Sequence, residues 1–276
     1  MLPWLDKDTR LCMSLSARPG SHGTRFHNYL YRELGLNFVY KSFSTTDLAA
    51  AVGGIRALGI RGCAVSMPFK EAVIPLVDTV TASAEAIRSV NTLVNDDGHL
   101  TAYNTDYIAI DRLLEQHRVA PDTSFALLGS GGMAKAVAFV LKSRGFTEGA
   151  VVARNPKTGP ALAAHAGFAY HEQFGELRPR MIINATPIGM SGGPEADALP
   201  VSKEALEAAE VVFEVVAQPP VTPLVREAKV LGKTVITGTD VIVLQAVEQF
   251  ELYTGVRPEP ELVARAGAFA RGEREA

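Results

Sequence analysis

Apolar positions along the chain fall into short runs separated by turn residues and amphipathic stretches. Phe38–Phe43 and Ile60–Val65 predict strands, and Asp47–Leu58 between them predicts a helix capped by Thr46 or Asp47. Val90–Val94 alternates like a half-buried strand. The Asp97-Gly98 pair after it predicts a hairpin, with a helix starting at about Tyr107. Further along, Phe125–Leu128, Ala150–Ala153, Met181–Asn184, Val211–Val216 and Thr234–Ile236 predict strands with helical or loop segments between them. Alternation of this kind predicts an α/β protein, with parallel sheets covered by helices.

Phe125–Leu128 carries the clearest chemical signal. The segment Gly129-Ser130-Gly131-Gly132-Met133-Ala134 follows it in the G-x-G-x-x-A form, and Ala134–Arg144 reads as a helix closed by Gly145. Glycines after a strand let the backbone approach a pyrophosphate, whose charge the helix N-terminus stabilises. Strand Ala150–Ala153 then ends without the acidic residue that would grip an adenosine ribose. Arg154 follows it, with Lys157 nearby. Two cations suit a 2′-phosphate, since a guanidinium pairs with phosphate through several hydrogen bonds, so NADP is favoured over NAD.

A second candidate cluster lies upstream. In Ser66-Met67-Pro68-Phe69-Lys70 a lysine follows an apolar strand where a helix begins, and Asp106 follows the predicted hairpin. Alone, Lys70 reads first as a solvated surface charge, and Asp106 reads equally as a helix cap. Together they form a candidate acid/base pair, because a lysine and a carboxylate near one hydroxyl can move its proton while a hydride leaves the same carbon. Ser14 and Ser16 share one face of a strand, so both hydroxyls can reach one carboxylate. His27, on an apolar helix, reads as a packed or surface histidine rather than a base. Thr186-Pro187 ends another strand at the sheet edge where cofactors lie in open α/β folds.

Composition narrows the class. With 276 residues, 47% of them hydrophobic, the chain can bury one or two ordinary cores, and its length favours two modest domains. A formal net charge of −3, with basic residues scattered, argues against a nucleic-acid or anionic-membrane footprint. Cys12 and Cys63 lie in separate apolar stretches and read as buried free thiols, and no metal-ligand pattern is present. No apolar run reaches the roughly 18 residues needed to span a bilayer, and the N-terminus lacks a secretory pattern, so a cytoplasmic protein is expected.

Taken in order, these motifs resemble the shikimate and quinate dehydrogenase family over nearly the whole chain, most of all its shikimate dehydrogenase-like subgroup. Ser14-Leu15-Ser16, Ser66 to Lys70, Val90-Asn91-Thr92, Asn104-Thr105-Asp106, Gly129 to Ala134, Asn184 to Met190, Thr222-Pro223-Leu224 and Gln245 each look like a family motif. The resemblance implies a substrate-binding α/β domain at 1–105, completed by helices at 240–276. It also implies a Rossmann-type, doubly wound NADP-binding domain at 106–239. It gives Lys70 and Asp106 the catalysis, and Ser14, Ser16, Ser66, Asn91 and Gln245 the substrate. The cofactor falls to Gly129, Ser130, Gly131, Gly132, Met133, Ala134, Arg154, Lys157 and Thr186. Aromatic amino acid biosynthesis is the implied setting.

Departures from the family pattern imply a remodelled pocket. Ala17 to Arg25 is inserted after the serine pair, Ala64 stands where an asparagine is common, Ser66 replaces a threonine, and Ala217 stands where a tyrosine is usual. The expected activity is NADP-linked oxidation of a ring hydroxyl in shikimate or a similar cyclic hydroxy acid, with self-association into a homodimer left open. The rival is a nucleotide-responsive binding or regulatory protein on the same fold. Retention of both Lys70 and Asp106 speaks against it, since a sensor has no need of a proton-transfer pair.

Overall fold

The computed structural model describes residues 5–272. The chain forms two compact units, one built from the residues up to Thr105 together with those from Val243 onward, the other from Asp106–Ile242.

The first unit contains a six-stranded sheet of β1 (Arg10–Leu15), β2 (Phe38–Phe43), β3 (Gly62–Val65), β4 (Thr79–Val80), β5 (Thr92–Asp96) and β6 (His99–Tyr103), in the order β2-β1-β3-β5-β6-β4. The β1 strand runs parallel to β2 and β3, whereas β5 is antiparallel to both β3 and β6. The β5–β6 hairpin turns on Asp97 (φ 51°) and Gly98 (φ 92°), the positive-φ pair that a two-residue type I′ turn requires. Side chains alternate across β1. Cys12 joins Phe26, Leu30, Tyr31, Tyr40, Phe250 and Tyr253 on one face, while Met13 and Leu15 join Val52, Ile55, Val65 and Leu93 on the other.

The helix after β1 spans His22–Glu33. The inserted segment therefore supplies its first turn, which is pinned to β2 because Thr24 Oγ1 lies 2.7 Å from Ser42 Oγ and Gly20 O accepts from that hydroxyl. The expected helix at Leu48–Ala57 is capped by Asp47, whose carboxylate accepts from Ala50 N. Lys70 lies in a single turn, Phe69–Ala72, too short to carry the dipole of a full helix. Both cysteines are buried free thiols, and burial pushes the Cys12 thiol up to about 12.

In the second unit, β7 (Phe125–Leu128), β8 (Gly149–Val152), β9 (Ala169–His171), β10 (Met181–Asn184), β11 (Val211–Glu214) and β12 (Thr234–Ile236) form an all-parallel sheet in the order β12-β11-β10-β7-β8-β9. This is the doubly wound Rossmann arrangement. The chain runs outward from β7 in one direction and from β10 in the other, which leaves a switch point between them. Edge strands β4 and β9 escape a search for apolar runs because they are only two and three residues long. The helix after the glycine loop begins at Gly132 rather than Ala134, and the helix after β6 begins at Thr105 rather than Tyr107. Among the described residues no helix is long and apolar enough to cross a membrane.

Candidate active site

At the switch point of the second unit a cavity of about 480 Å³ opens beyond the carboxyl ends of β7, β8 and β10. Gly129, Ser130 and Gly131 form one wall, Arg154 and Asn155 a second, and Ala185 and Thr186 a third. Gly129 has φ +106°, and a Cβ there would lie 2.7 Å from Ala185 O, so only glycine lets the two loops meet. A Cβ on Gly131 or Gly132 would meet nothing within 4 Å. That space lies at the start of the helix Gly132–Ser143, whose N-cap makes no side-chain bond, so its first amides can face an anion. The residues present therefore fit a dinucleotide pyrophosphate.

Arg154 borders the cavity and is well exposed, while Lys157 does not line it. Met133 and Ala134 continue into the helix, and Ala134 is fully buried as a packing residue. The Arg154 guanidinium is engaged, with Nη2 lying 3.2 Å from Oε2 of Glu195. Glu195 sits on the loop after β10, and its backbone oxygen accepts from Gly189 N at 2.9 Å.

Beneath the Asn184–Met190 loop lies a carboxylate that the motifs did not reveal. Glu214, at the end of β11, has no exposure and accepts hydrogen bonds from Asn184 Nδ2 (2.9 Å), Val216 N (2.9 Å) and Thr222 Oγ1 (2.9 Å). Asn184 Oδ1 then accepts from the amide and the hydroxyl of Thr186, at 3.1 and 2.6 Å, holding that residue at the cavity wall. Burial raises the Glu214 carboxyl to about 7, against the opposing pull of its hydrogen bonds. A lone glutamate in an otherwise apolar strand was the available signal.

The first unit gathers a different set at the carboxyl ends of β1 and β3. Ser66 N donates to Leu15 O, Ala17 N to Met67 O, Val65 N to Asn91 O, and Val90 N to Lys70 O at 2.9 Å. These backbone bonds bring the segments bearing Ser16, Ser66, Lys70 and Asn91 together. Across the sheet the register aligns Ser14 with Ala64 and Ala64 with Thr92. Ser16 is 8% exposed, Ser14 half-buried and bonded with the Tyr40 phenol, and Ser66 exposed.

Asn91 is 2% exposed. Its Oδ1 accepts from Thr92 Oγ1 (2.9 Å), Thr105 N (2.8 Å) and Thr105 Oγ1 (3.1 Å), whereas its Nδ2 is buried with no protein acceptor. Asp106, the next residue along, is 4% exposed and opens the second unit. Gln245 is half-buried on the helix Gly238–Thr254, and one turn further Gln249 is buried against Asn91 and Thr92. His27 is a packed residue, stacked on Tyr40 with ring centroids 4.5 Å apart, and burial lowers it to about 3, so it is neutral at physiological pH. Among the described residues no group of three or more His, Cys, Asp or Glu is arranged to hold a metal.

A Rossmann sheet with a glycine-lined cavity at its switch point, joined in one chain to a separate α/β unit carrying a polar cluster, defines a dinucleotide-linked oxidoreductase architecture. Comparison with known proteins makes this specific. Residues 19–93 match the shikimate dehydrogenase substrate binding domain. A shikimate dehydrogenase-like protein of Haemophilus influenzae is 55% identical over 97% of this chain and 98% of its own length. The shikimate dehydrogenase (NADP(+)) of Pyrococcus abyssi is 33% identical, over 94% of this chain and 98% of its own. The crystal structure of shikimate 5-dehydrogenase from Thermus thermophilus in complex with NADP(H) and shikimate is 28% identical, with a TM-score of 0.83, and covers 95% of this chain and 99% of that one. The chain belongs to the shikimate dehydrogenase family.

Proposed function

We propose that this protein is an NADP-dependent oxidoreductase that oxidises a ring hydroxyl of shikimate or a similar cyclic hydroxy acid, and reduces the corresponding ketone in reverse. The observation that carries the cofactor reading is the cavity bounded by Gly129–Gly131 and Arg154, where β8 ends without an acidic residue. NADP, when bound there, supplies the hydride acceptor. Gly131 and Gly132 leave room for its pyrophosphate, Arg154 pairs with its 2′-phosphate, and Thr186 closes the wall.

For the substrate, Ser14 and Ser16 offer hydroxyl donors to a carboxylate, and the two N–H groups of Asn91 are donors that lack a protein acceptor. Ser66 and Gln245 complete the contacts. Lys70 takes the hydroxyl proton in the oxidative direction, and Asp106 hydrogen-bonds the same group and orients it. Holding the hydroxyl in place removes much of the entropy of encounter.

Ala64 carries the argument about specificity. It lies between Ser14 and Thr92 in the sheet register, so a methyl group occupies a row of otherwise polar positions and offers a ring hydroxyl no hydrogen bond. Each contact of that kind is worth about 0.5–1.5 kcal/mol. Shikimate is therefore expected to be a slow substrate, below roughly 10⁴ M⁻¹s⁻¹ in kcat/KM, and a bulkier or differently hydroxylated acid a better one. Absorbance of the reduced cofactor at alkaline pH, across shikimate, quinate and larger cyclic hydroxy acids, tests this. No turnover of any of them, with NADP still bound, would favour a nucleotide-responsive binding protein.

A further inference from the structure

We infer that Gln249 is a positioning residue for substrate recognition, acting through Thr92 on the side-chain amide of Asn91. The inference rests on the reading of Asn91 as a substrate donor.

The geometry is a directed chain of hydrogen bonds. Gln249 is 4% exposed, and its Nε2 donates to Asn91 O at 3.3 Å and to Thr92 Oγ1 at 3.0 Å. A main-chain carbonyl can only accept, so the orientation of the Gln249 amide is set, with nitrogen toward β5 and oxygen away. Its side chain is also hydrogen-bonded with the buried ring of His27, and because the amide nitrogen is committed to β5 and an amide oxygen can only accept, the imidazole N–H donates to Gln249. The other ring nitrogen, Nδ1, is buried without a partner, and burial holds the ring neutral, with its one proton on the nitrogen that faces Gln249. The direction of donation then runs from His27 to Gln249, from Gln249 to Thr92, and from Thr92 to Asn91 Oδ1.

Each step constrains the next. A hydroxyl has one proton, so once Thr92 Oγ1 accepts from Gln249, that proton turns toward Asn91 Oδ1, 2.9 Å away. Together with the amide and hydroxyl of Thr105, this saturates the Asn91 oxygen. Both Asn91 N–H groups remain as buried donors aimed at no protein atom. Such donors are costly to leave unmade, so a ligand oxygen that reaches them gains what the fold withholds. Gln249 thus keeps the Asn91 amide from rotating to satisfy itself.

Conservative substitutions separate this role from packing. Gln249→Met keeps the volume and removes the donor, Thr92→Val keeps the shape and removes the hydroxyl, and Thr92→Ser restores the hydroxyl. KM for the best hydroxy acid should rise about three- to tenfold in Gln249→Met and Thr92→Val and return close to the wild-type value in Thr92→Ser, while the Kd for NADP stays within about twofold. In parallel, the ¹⁵N–¹H signals of the Asn91 side chain, assigned by their loss in Asn91→Ala, should exchange with solvent faster in Gln249→Met and Thr92→Val than in wild type. Unchanged KM in folded Gln249→Met and Thr92→Val, where Asn91→Ala does raise KM, overturns the inference. If Asn91→Ala leaves KM unchanged, the substrate role of Asn91 fails instead, and the amide signals decide: unaltered exchange in Gln249→Met overturns the relay.

Discussion

The polar groups of the two units are prepared for ligands in opposite ways. In the first unit they are buried and bonded to one another. Asn91, Thr92, Thr105 and Gln249 are all buried, and the network directs its one unsatisfied amide before any ligand arrives. In the second unit the cavity is walled by glycine backbone, and its one lining cation, Arg154, is 73% exposed and held only by a surface carboxylate. A buried network discriminates strongly, because a ligand that mismatches it leaves desolvated groups unpaired. A backbone cradle accepts any pyrophosphate and leaves the choice between two cofactors to a few surface charges. Substrate identity should therefore be hard to change in this protein and cofactor preference easy.

The largest expected effect lies with the chemistry itself. Lys70→Ala and Asp106→Asn should each lower kcat by about 10²- to 10⁴-fold while weakening substrate binding far less. Steady-state kinetics on the best hydroxy acid decide the matter: near wild-type kcat in Lys70→Ala would mean that the proton moves through another group, and in Asp106→Asn that another group orients the hydroxyl.

Next comes the exception within the second unit, its buried carboxylate. The Glu214 carboxyl titrates near 7 in the folded protein and near 4.5 in a free chain, so the unfolded chain releases that proton first as pH rises. Stability should fall through this window, by on the order of 3 kcal/mol, and level off above it. Glu214→Gln should flatten the profile. Denaturant unfolding at several pH values measures it, and an identical slope in wild type and variant would show that Glu214 does not titrate there.

Cofactor choice is expected to respond more modestly. Arg154→Ala should remove a preference for NADP over NAD of at least about tenfold, equivalent to about 1.4 kcal/mol, as read from the two dissociation constants. Equal affinities in wild type would sink the assignment.

The smallest effect concerns Glu195, whose ion pair with Arg154 would compete with the proposed 2′-phosphate contact. An exposed ion pair is worth about 0–1 kcal/mol, so Glu195→Gln should tighten NADP binding by no more than about fivefold and leave NAD nearly unchanged. Titration at low and moderate salt checks this, because the gain should shrink as the charges are screened. A weaker affinity for NADP in the variant would assign Glu195 to direct cofactor contact.

Much of this architecture was legible in local pattern. Strands β2, β7, β10 and β12 coincide with the segments predicted from the sequence, the Asp97-Gly98 turn adopts the positive φ values that such a pair predicts, and Gly129 stands where a side chain would strike Ala185. These features depend on near neighbours in the chain, through period-two burial, turn stereochemistry and the absence of a Cβ. The chemical roles of the motif residues were legible only as resemblance, since a lysine after a strand and an aspartate at the start of a helix have ordinary explanations too.

The partners of those residues were settled in three dimensions. Gln249 reaches Thr92 across 157 positions, Asn184 meets Glu214 across 30, and Arg154 meets Glu195 across 41. No periodicity encodes such pairs. They arise because parallel crossovers and sheet register bring distant segments together; for Gln249 and Glu214 burial then makes a partner obligatory, whereas the Arg154–Glu195 pair is exposed and held by its opposite charges. The chain by itself determined the longer strands, where the glycine loop lies and which motif residues could carry chemistry. Tertiary structure decided which of them are bonded, which donors are left unmade and which carboxylate is driven toward neutrality, because these depend on desolvation and on distances that sequence order does not contain.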